Sequence, residues 1–410
     1  MQGTKNLTEG PIKKQLFNLA LPIMGTSFIQ MAYSITDMAW VGRLGSEAVA
    51  AIGAVGILTW MTTSISYLNK VGSEVSVAQS IGAREEDDAR AFASHNLTIA
   101  LMISVCWGFL LFVLANPIIS FFKLDTEISG TAVSYLRIVA TGFPFIFLAA
   151  ACTGIYNAAG LSKIPFYVSD SGLIMNMVLD PFIFGFGMGT NGAACATWLS
   201  EATVLAIFIY YLKKKNRLFG GFPFFIRLKS RYSRRIFQLG LPVALLNSLF
   251  AVINLMMART ASTYGGHIGL TTMTAGGQIE AIAWNTSQGF STALSTFVAQ
   301  NFAARKKERV LGAYHTTLKM TALFGIFCTL LFVFFGSEVF SLIIPEKAAY
   351  EAGGVFLRID GYSMLFMMLE ITMQGLFYGT GRTLPPAIIS ITFNSLRIPM
   401  AIGLTAMGLG

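Results

Sequence analysis

The stretch LFNLALPIMGTSFIQMAYSITDM, residues 16–38, decides the fold. Among its 23 residues only Asp37 is charged. A run of about 18 or more apolar residues is long enough to cross a bilayer as a helix. The stretch therefore predicts a membrane-spanning helix with an acidic residue near one end, and it contains the sequence LALP, which occurs again in similar form later in the chain.

The composition extends this prediction to the whole chain of 410 residues, of which 54% are hydrophobic and 12% charged. Soluble domains are about 45–50% apolar and about 25% charged. A water-soluble globular protein, a disordered chain and a disulfide scaffold are therefore excluded. Long apolar runs predict an all-α polytopic membrane protein with eleven spans, at 16–38, 48–70, 95–115, 133–159, 164–188, 192–212, 236–258, 270–300, 316–336, 355–379 and 385–409.

Basic residues are distributed unequally between the two sides of this topology. With the N-terminus inside, the inner segments hold 21 Lys and Arg residues and the outer segments six. Inner loops of membrane proteins carry an excess of these residues, so the N-terminus is predicted to be cytoplasmic. The net charge of +9 is thereby explained as an orientation signal and a contact with anionic lipid, and nucleic acid is not expected as a partner.

The sequence contains an internal repeat. Leu19–Pro22 matches Leu239–Pro242 at an offset of 220, and Gly154 matches Gly375 at an offset of 221. The repeating unit holds six spans, so both copies enter the membrane in the same direction. Two parallel halves with a path between them are a secondary-transporter architecture. We expect an N-lobe (1–212, spans 1–6), a basic cytoplasmic linker (213–235) and a C-lobe (236–410, spans 7–11).

The repeat also predicts a departure from symmetry. The last residue, Gly410, corresponds to about Gly189 of the first half. The sixth span of the first half, Asn191–Leu212, therefore has no counterpart. We expect the twelfth helix to be missing from this chain.

Several polar residues in the first half are expected at one depth, near the outer side of their spans. Asp37 ends span one, Asn176 and Asp180 lie one turn apart in span five, and Thr197 and Glu201 lie one turn apart in span six. Carboxylate, amide and hydroxyl oxygens together form a site for a hard cation or a proton. Alternatively, the two aspartates cap helix ends, and Glu201 pairs with a neighbouring backbone group or cation.

Two glutamates in the second half, Glu280 and Glu370, are further substrate or coupling candidates. Either could face a central cavity and attract cationic substrate, or form an interhelical hydrogen bond that fixes packing. Pro22 lies in span one, about four turns from Asp37. We expect the bend at Pro22 to couple occupancy at Asp37 to the packing of span one.

An enzymatic function is not expected. The sequence lacks a nucleophile elbow, a P-loop and an HExxH motif, and its four cysteines form no CxxC pair. We therefore assign no catalytic residue and no cofactor. A small ion, Na⁺ or H⁺, is the bound species that the acidic residues predict.

The chain resembles the MATE (multidrug and toxic compound extrusion) family. The resemblance is carried by five stretches besides Leu21–Pro22: DMAWVGRLG (37–45), AQSIGA (78–83), NMVLDP (176–181), GFSTA (289–293) and VAQN (298–301). It implies two six-helix lobes arranged in a V, and drug efflux coupled to inward Na⁺ or H⁺. The family's cation site would fall on Asp37, Asn176 and Asp180, with Thr197 beside them.

We therefore expect a secondary active antiporter, monomeric and multi-pass, in a bacterial-type cytoplasmic (inner) membrane. Its partners would be membrane lipid and small amphipathic, often cationic, substrates. Differential affinity of two states for substrate and ion would provide the coupling. The alternative is a lipid-linked precursor flippase of the same superfamily, which would need a wider and more cationic cavity.

Overall fold

The structure is a computed structural model that describes residues 4–42, 46–121, 125–185, 188–215, 220–221, 223–344 and 346–407. Side chains at 33–42, 46–47, 49–50, 180–185, 215, 267 and 270 also lie outside the described part. The described part is almost wholly helical.

The described part of the first half forms seven helices. They are α1 (Ile12–Gly42), α2 (Ser46–Ala83), α3 (Glu86–Val113), the short α4 (Ala115–Ser120), α5 (Thr126–Ala158), α6 (Lys163–Gly185) and α7 (Gly189–Tyr210), which continues as a π-helical turn (Tyr211–Lys215). The prolines Pro22 and Pro144 lie inside α1 and α5, and both helices continue through them. Proline lacks the N–H that would bond to the carbonyl four residues earlier, which for Pro22 is that of Asn18. Membrane helices tolerate this where a neighbouring group satisfies the freed carbonyl, as the Ser162 hydroxyl does by donating to the Asn18 carbonyl at 3.4 Å.

The second half contains α8 (Ser230–Ala303), α9 (Lys307–Ser341), α10 (Lys347–Gly379) and α11 (Leu384–Ala406). Helix α8 is interrupted at Gly266, whose φ of 58° and ψ of −147° are not helical. Glycine adopts positive φ without the steric cost that a Cβ brings. The interruption divides α8 into a first limb (230–266) and a second limb (267–303), which match predicted spans seven and eight.

Each of the eleven predicted spans coincides with a helix or a helix limb. Within the described residues, eight helical stretches are long and apolar enough to cross a membrane: 51–83, 86–113, 126–158, 189–214, 230–266, 307–341, 347–379 and 384–406. The largest boundary difference concerns span two, predicted to end at residue 70. Helix α2 continues to Ala83, and this brings further polar residues into the helical core.

The helices pack as two lobes. In the N-lobe (α1–α7), α5 packs against α2, α3 and α7, and α6 packs against α1 and α7. In the C-lobe (α8–α11), α10 packs against α8 and α9, and α11 packs against α8. The lobes meet mainly where α2 and α1 contact α8. The exact bounds of the linker, 213–235, stay a prediction.

The two lobes repeat each other in backbone detail. Arg84 and Arg305, 221 residues apart, both have positive φ, at 64° and 58°. Gly160 and Gly381, again 221 apart, have φ of 75° and 78°. These pairs lie at the ends of equivalent helices. The duplication seen in the sequence therefore extends to the local conformation of the turns.

One end of the molecule, which we call the basic end, contains segment 4–11 and four turns, at 84–85, 159–162, 304–306 and 380–383. The lobes touch there. Gly240 of α8 lies against the backbone carbonyl of Leu68, and Gly82 of α2 lies against the backbone of Gln300. Such close approach of two backbones is typical of small residues in membrane helix interfaces. We call this α2–α8 contact the seam.

Candidate functional site

A cavity of about 560 Å³ lies between the lobes. This volume is within the range of about 300–1,000 Å³ that is usual for small-molecule sites. Helix α2 contributes the N-lobe side, and α8, α10 and α11 contribute the C-lobe side. Aromatic and Met side chains form much of its wall: Tyr67, Phe250, Trp284, Phe366, Met367 and Tyr378. The wall is therefore suited to flat, partly apolar ligands.

The cavity wall holds more acidic than basic side chains. Among the described residues, four acidic groups line it, Glu74, Glu280, Asp360 and Glu370, against two basic groups, Lys70 and Arg397. Charged groups within a membrane protein are costly and are functional candidates for that reason. A cavity with this balance favours a cationic guest.

The two glutamates that the sequence singled out in the second half, Glu280 and Glu370, both line this cavity. Glu370 is also held by hydrogen bonds within the C-lobe. The hydroxyl of Ser390 and the amide of Gln374 both donate to its Oε1, the latter at 3.2 Å. The two alternatives stated for Glu370, cavity lining and interhelical hydrogen bonding, are thus both present in the structure.

The carboxylates lie at different depths. Helix α10 reaches the basic end at Gly379, so Glu370 is nine residues and Asp360 nineteen residues from that end. At 1.5 Å per residue these distances are about 13 and 28 Å. On α2, Glu74 is nine residues from Ala83 and lies at the depth of Glu370. Glu74 and Glu370 therefore lie in the part of the cavity nearest the basic end.

Two equivalent hydrogen bonds join the two lobes between this cavity and the basic end. Gln79 Nε2 of the N-lobe donates to the Gly379 carbonyl of the C-lobe at 3.0 Å. Gln300 Nε2 of the C-lobe donates to the Ala158 carbonyl of the N-lobe at 2.7 Å. Both donors and both acceptors are related by the same offset of 221. The pair, which we call the glutamine clasp, is therefore a pseudo-twofold contact across the seam.

Segment 4–11 adds a second layer at the basic end. The Lys5 amide donates to the Ala159 carbonyl of the N-lobe at 2.8 Å, and the Leu7 amide donates to Gln300 Oε1 at 3.1 Å. Arg309 of α9 donates to the Leu7 carbonyl at 2.9 Å. The Leu7 side chain is fully buried. Burial, with Lys163 and Lys14 nearby, lowers the pKa of Lys5. The segment thus bridges both lobes.

The linker repeats this arrangement on the other lobe. Its segment 223–229 lies against α3 of the N-lobe, where the Lys229 amide donates to His95 Nε2 at 3.0 Å. Two residues later, Arg231 pairs with Asp88 at 3.0 Å. Arg235 then donates to Gln79 Oε1 at 3.2 Å. Each segment that precedes a lobe therefore supports one half of the glutamine clasp.

The site predicted in the first half is described in part. Helices α1 and α6, which carry Asp37 and Asp180, pack side by side, but both carboxylates lie outside the described side chains. Asn176 Nδ2 of α6 donates to Thr197 Oγ1 of α7 at 3.4 Å. Asn176 Oδ1 is buried without a described hydrogen-bond partner. The structure therefore brings Asn176 and Thr197 together, and no described group forms a hydrogen bond with the buried amide oxygen of Asn176.

Two other residues proposed from the sequence have clear positions. Glu201 lies one turn after Thr197 on α7 and is partly buried. Pro22 lies in the part of α1 whose neighbours Leu19, Ala20 and Met24 pack with the second limb of α8. The site roles of Asp37, Asn176, Asp180, Thr197, Glu201, Glu280 and Glu370, and the conformational role of Pro22, stay predictions.

Glu74 is a cavity residue that the sequence reasoning missed. Span two was predicted to end at residue 70, which left Glu74 in a loop. The repeat contained the signal that could have found it. Span eight was predicted to reach residue 300, and subtracting 221 extends span two to about residue 79. Glu74 then falls opposite Ser295, inside the membrane.

Comparison with known proteins identifies the family. The MatE family model matches the chain twice, over residues 22–182 and 242–402. The chain is 28% identical over 403 residues to a probable multidrug resistance protein NorM of Thermotoga maritima, covering 95% of this chain and 85% of that protein. An FAD transporter of Shewanella oneidensis is 25% identical over 358 residues, covering 86% and 78% respectively.

A solved structure agrees with the fold. A MOP superfamily transporter from Pyrococcus furiosus superposes with a TM-score of 0.90 at 23% identity, covering 98% of this chain and 90% of that one. The two family matches start 220 residues apart, at the positions of Pro22 and Pro242, as the internal repeat requires. The chain is a multi-pass, two-lobed membrane protein that belongs to the MatE family of transporters.

Proposed function

We propose that the protein is a secondary active antiporter that exports amphipathic, cationic compounds in exchange for Na⁺ or H⁺. The observation that carries this proposal is the cavity between the lobes, which combines an aromatic wall with four carboxylates against two basic groups. An amphipathic cation satisfies both features, because its apolar body packs on the rings and its charge faces the acids.

The remaining parts of the proposal follow from the two-lobe arrangement. The basic end is assigned to the cytoplasm because it carries the excess of Lys and Arg. The lobes meet at that end in this conformation, so export requires the seam and the glutamine clasp to open and close in turn. The coupling ion is assigned to Asp37, Asn176, Asp180 and Thr197. The Asn176 oxygen supports this assignment, because it is buried and has no hydrogen-bond partner among the described side chains.

The names of the relatives support export of small molecules but differ in substrate. Multidrug resistance proteins and an FAD transporter both occur among them. FAD carries phosphate groups, and a lipid-linked precursor carries them as well. An acidic cavity repels such anions, so the charge balance favours cationic drugs over FAD and over the flippase alternative.

A charge-matched substrate comparison tests the proposal. Efflux of a cationic dye and of an anionic dye of similar size would be measured in cells that express wild type and Glu280→Gln. We expect efflux of the cationic dye only, weakened by the substitution about tenfold in apparent affinity. Preferred efflux of the anionic dye, of FAD or of a lipid-linked precursor would refute the assignment.

A further inference from the structure

Glu74 lies at the seam, close to the pseudo-twofold axis. Its side chain is 4% exposed, and it faces the side chains of Ser295 and Thr296 on α8. Ser295 is the residue equivalent to Glu74 at an offset of 221. Residues that are related by a twofold axis can contact each other only next to that axis. The position of Glu74 therefore depends directly on whether the two lobes are together or apart.

The polar surroundings of Glu74 supply little opposing charge. On α5, Asn157 Nδ2 donates to Glu74 Oε2 at 3.5 Å. On its own helix, Lys70 lies one turn away, but its ammonium is placed over the Tyr67 ring at 5.1 Å from the centroid. Among the described residues, Glu74 forms no ion pair within 4.0 Å. Closing the seam on an ionised Glu74 would thus bury a charge that is poorly compensated.

Other titratable groups face Glu74 across the cavity. Glu370 and Tyr378 lie on α10 at similar depth, and both line the same cavity. Neither supplies positive charge. Glu370 already accepts hydrogen bonds within the C-lobe. Lys70 is the nearby basic group, and its ammonium lies over the Tyr67 ring without forming a described ion pair with Glu74. Full neutralisation of Glu74 in the closed state therefore requires a proton or a cation that occupies the cavity.

We propose that the Glu74 carboxylate binds either a proton or the positive charge of a substrate. The seam closes only when one of these two neutralises the carboxylate. The inference rests on the proposed export function and specifies where substrate and coupling proton exclude each other. A cationic substrate neutralises the charge of Glu74 while the basic end closes. The substrate then leaves the cavity on the opposite side of the membrane. A proton from that side then replaces it and is released when the seam opens.

A proton is the simpler coupling ion at Glu74, because it neutralises a carboxylate without further ligands, whereas Na⁺ needs a shell of oxygen atoms. The hydrogen bond that Asn157 donates to Glu74 comes from an N–H group, which cannot ligate a metal ion.

Interlobe distances at the basic end test the proposal. Spin labels would be attached at Asp87→Cys and Glu308→Cys, two exposed positions at the starts of α3 and α9 that are equivalent by the repeat. The exposed or partly exposed Cys106 and Cys195 would be replaced by Ser. Distances would be measured on the full chain in lipid nanodiscs from about pH 5 to about pH 9.

In the wild type we expect the ratio of closed to open basic end to fall about tenfold as the pH rises. A cationic dye should restore the closed population at high pH, whereas a neutral dye of similar shape should not. Glu74→Gln should remain closed at all pH values. Glu74→Asp keeps a carboxyl group and should keep the pH response. The matched control Glu370→Gln, which removes a cavity carboxylate away from the seam, should also keep it.

A pH response that persists in Glu74→Gln, or that Glu370→Gln abolishes instead, would overturn the proposal. A response to Na⁺ at fixed pH that requires Glu74 would overturn it as well. If Glu74→Gln does not fold, a pH-independent distance in Glu74→Asp refutes the role of the carboxyl group. The export function is tested separately, by dye transport. If dye movement depends on neither ion gradient, the proposed export function fails, whereas the interlobe distance and its pH dependence still test the role of Glu74.

Discussion

The two lobes share their backbone geometry but not their ionisable residues. The positive-φ turns, the glutamine clasp and the close glycine contacts occur at equivalent positions in both lobes. By contrast, the repeat makes Glu74 of the N-lobe equivalent to Ser295 of the C-lobe, and Glu370 of the C-lobe equivalent to Ala149 of the N-lobe. Helix packing is thus duplicated, whereas the charges that select ligands are placed in one lobe at a time. Four predictions separate the duplicated features from the unique ones.

The largest effect is expected from the acids of the first-half site. Asp37→Asn and Asp180→Asn should each abolish cation-coupled efflux, because each removes a charge that holds the ion, while membrane insertion is unchanged. Dye efflux at equal expression in the membrane measures this. Full efflux in both variants would refute the site, and the C-lobe variant Glu370→Gln should retain part of the activity as a contrast.

Equal effects on stability are expected at the duplicated glycines. A Cβ at Gly154 would overlap the Lys70 carbonyl, and a Cβ at Gly375 would overlap the equivalent Ser291 carbonyl. Alanine at either position should lower the free energy of unfolding by about 2 kcal/mol. Thermal unfolding in detergent measures the loss. Gly53→Ala, where a Cβ meets nothing within 4 Å, is the control. A loss at one glycine alone would show that the packing is not duplicated.

The glutamine clasp should respond symmetrically but more weakly. Gln79→Ala and Gln300→Ala each remove one interlobe hydrogen bond, which contributes about 1 kcal/mol, or about a fivefold change in the closed population. The labels at Asp87→Cys and Glu308→Cys report this population, and exposed Gln238→Ala is the control. Closed populations unchanged in both variants would show that other contacts hold the seam.

The smallest effect is expected at the equivalent prolines. Pro22→Ala should weaken the cation dependence of efflux about two- to threefold, or about 0.5 kcal/mol, because Asp37 lies further along the same helix. Pro242→Ala in α8 should leave the cation dependence unchanged. Dose–response curves for Na⁺ and H⁺ measure both. If Pro22→Ala behaves as the wild type does, span one does not transmit occupancy at Asp37.

Much of the fold could be predicted from the sequence because apolar runs determine the spans and the LALP repeat determines their pairing. The end of α2 could not be predicted from hydropathy, since Glu74 lowers the local average although the helix continues to Ala83. The cavity could be predicted in part. The repeat predicted a path between the halves, and Glu280 and Glu370 were candidates to face it. Glu74 and Asp360 line the same cavity because of how the two lobes pack together, which no local pattern encodes.

Vesicle transport tests the central claim, that an ion gradient drives cationic compounds through the cavity between the lobes. Inverted vesicles would be loaded with Na⁺ or acidified inside, each gradient imposed separately, and uptake of a cationic dye would be recorded. We predict uptake driven by at least one gradient in the wild type and lost in Asp180→Asn. Uptake that needs neither gradient, or that is equal in the variant, would contradict the account.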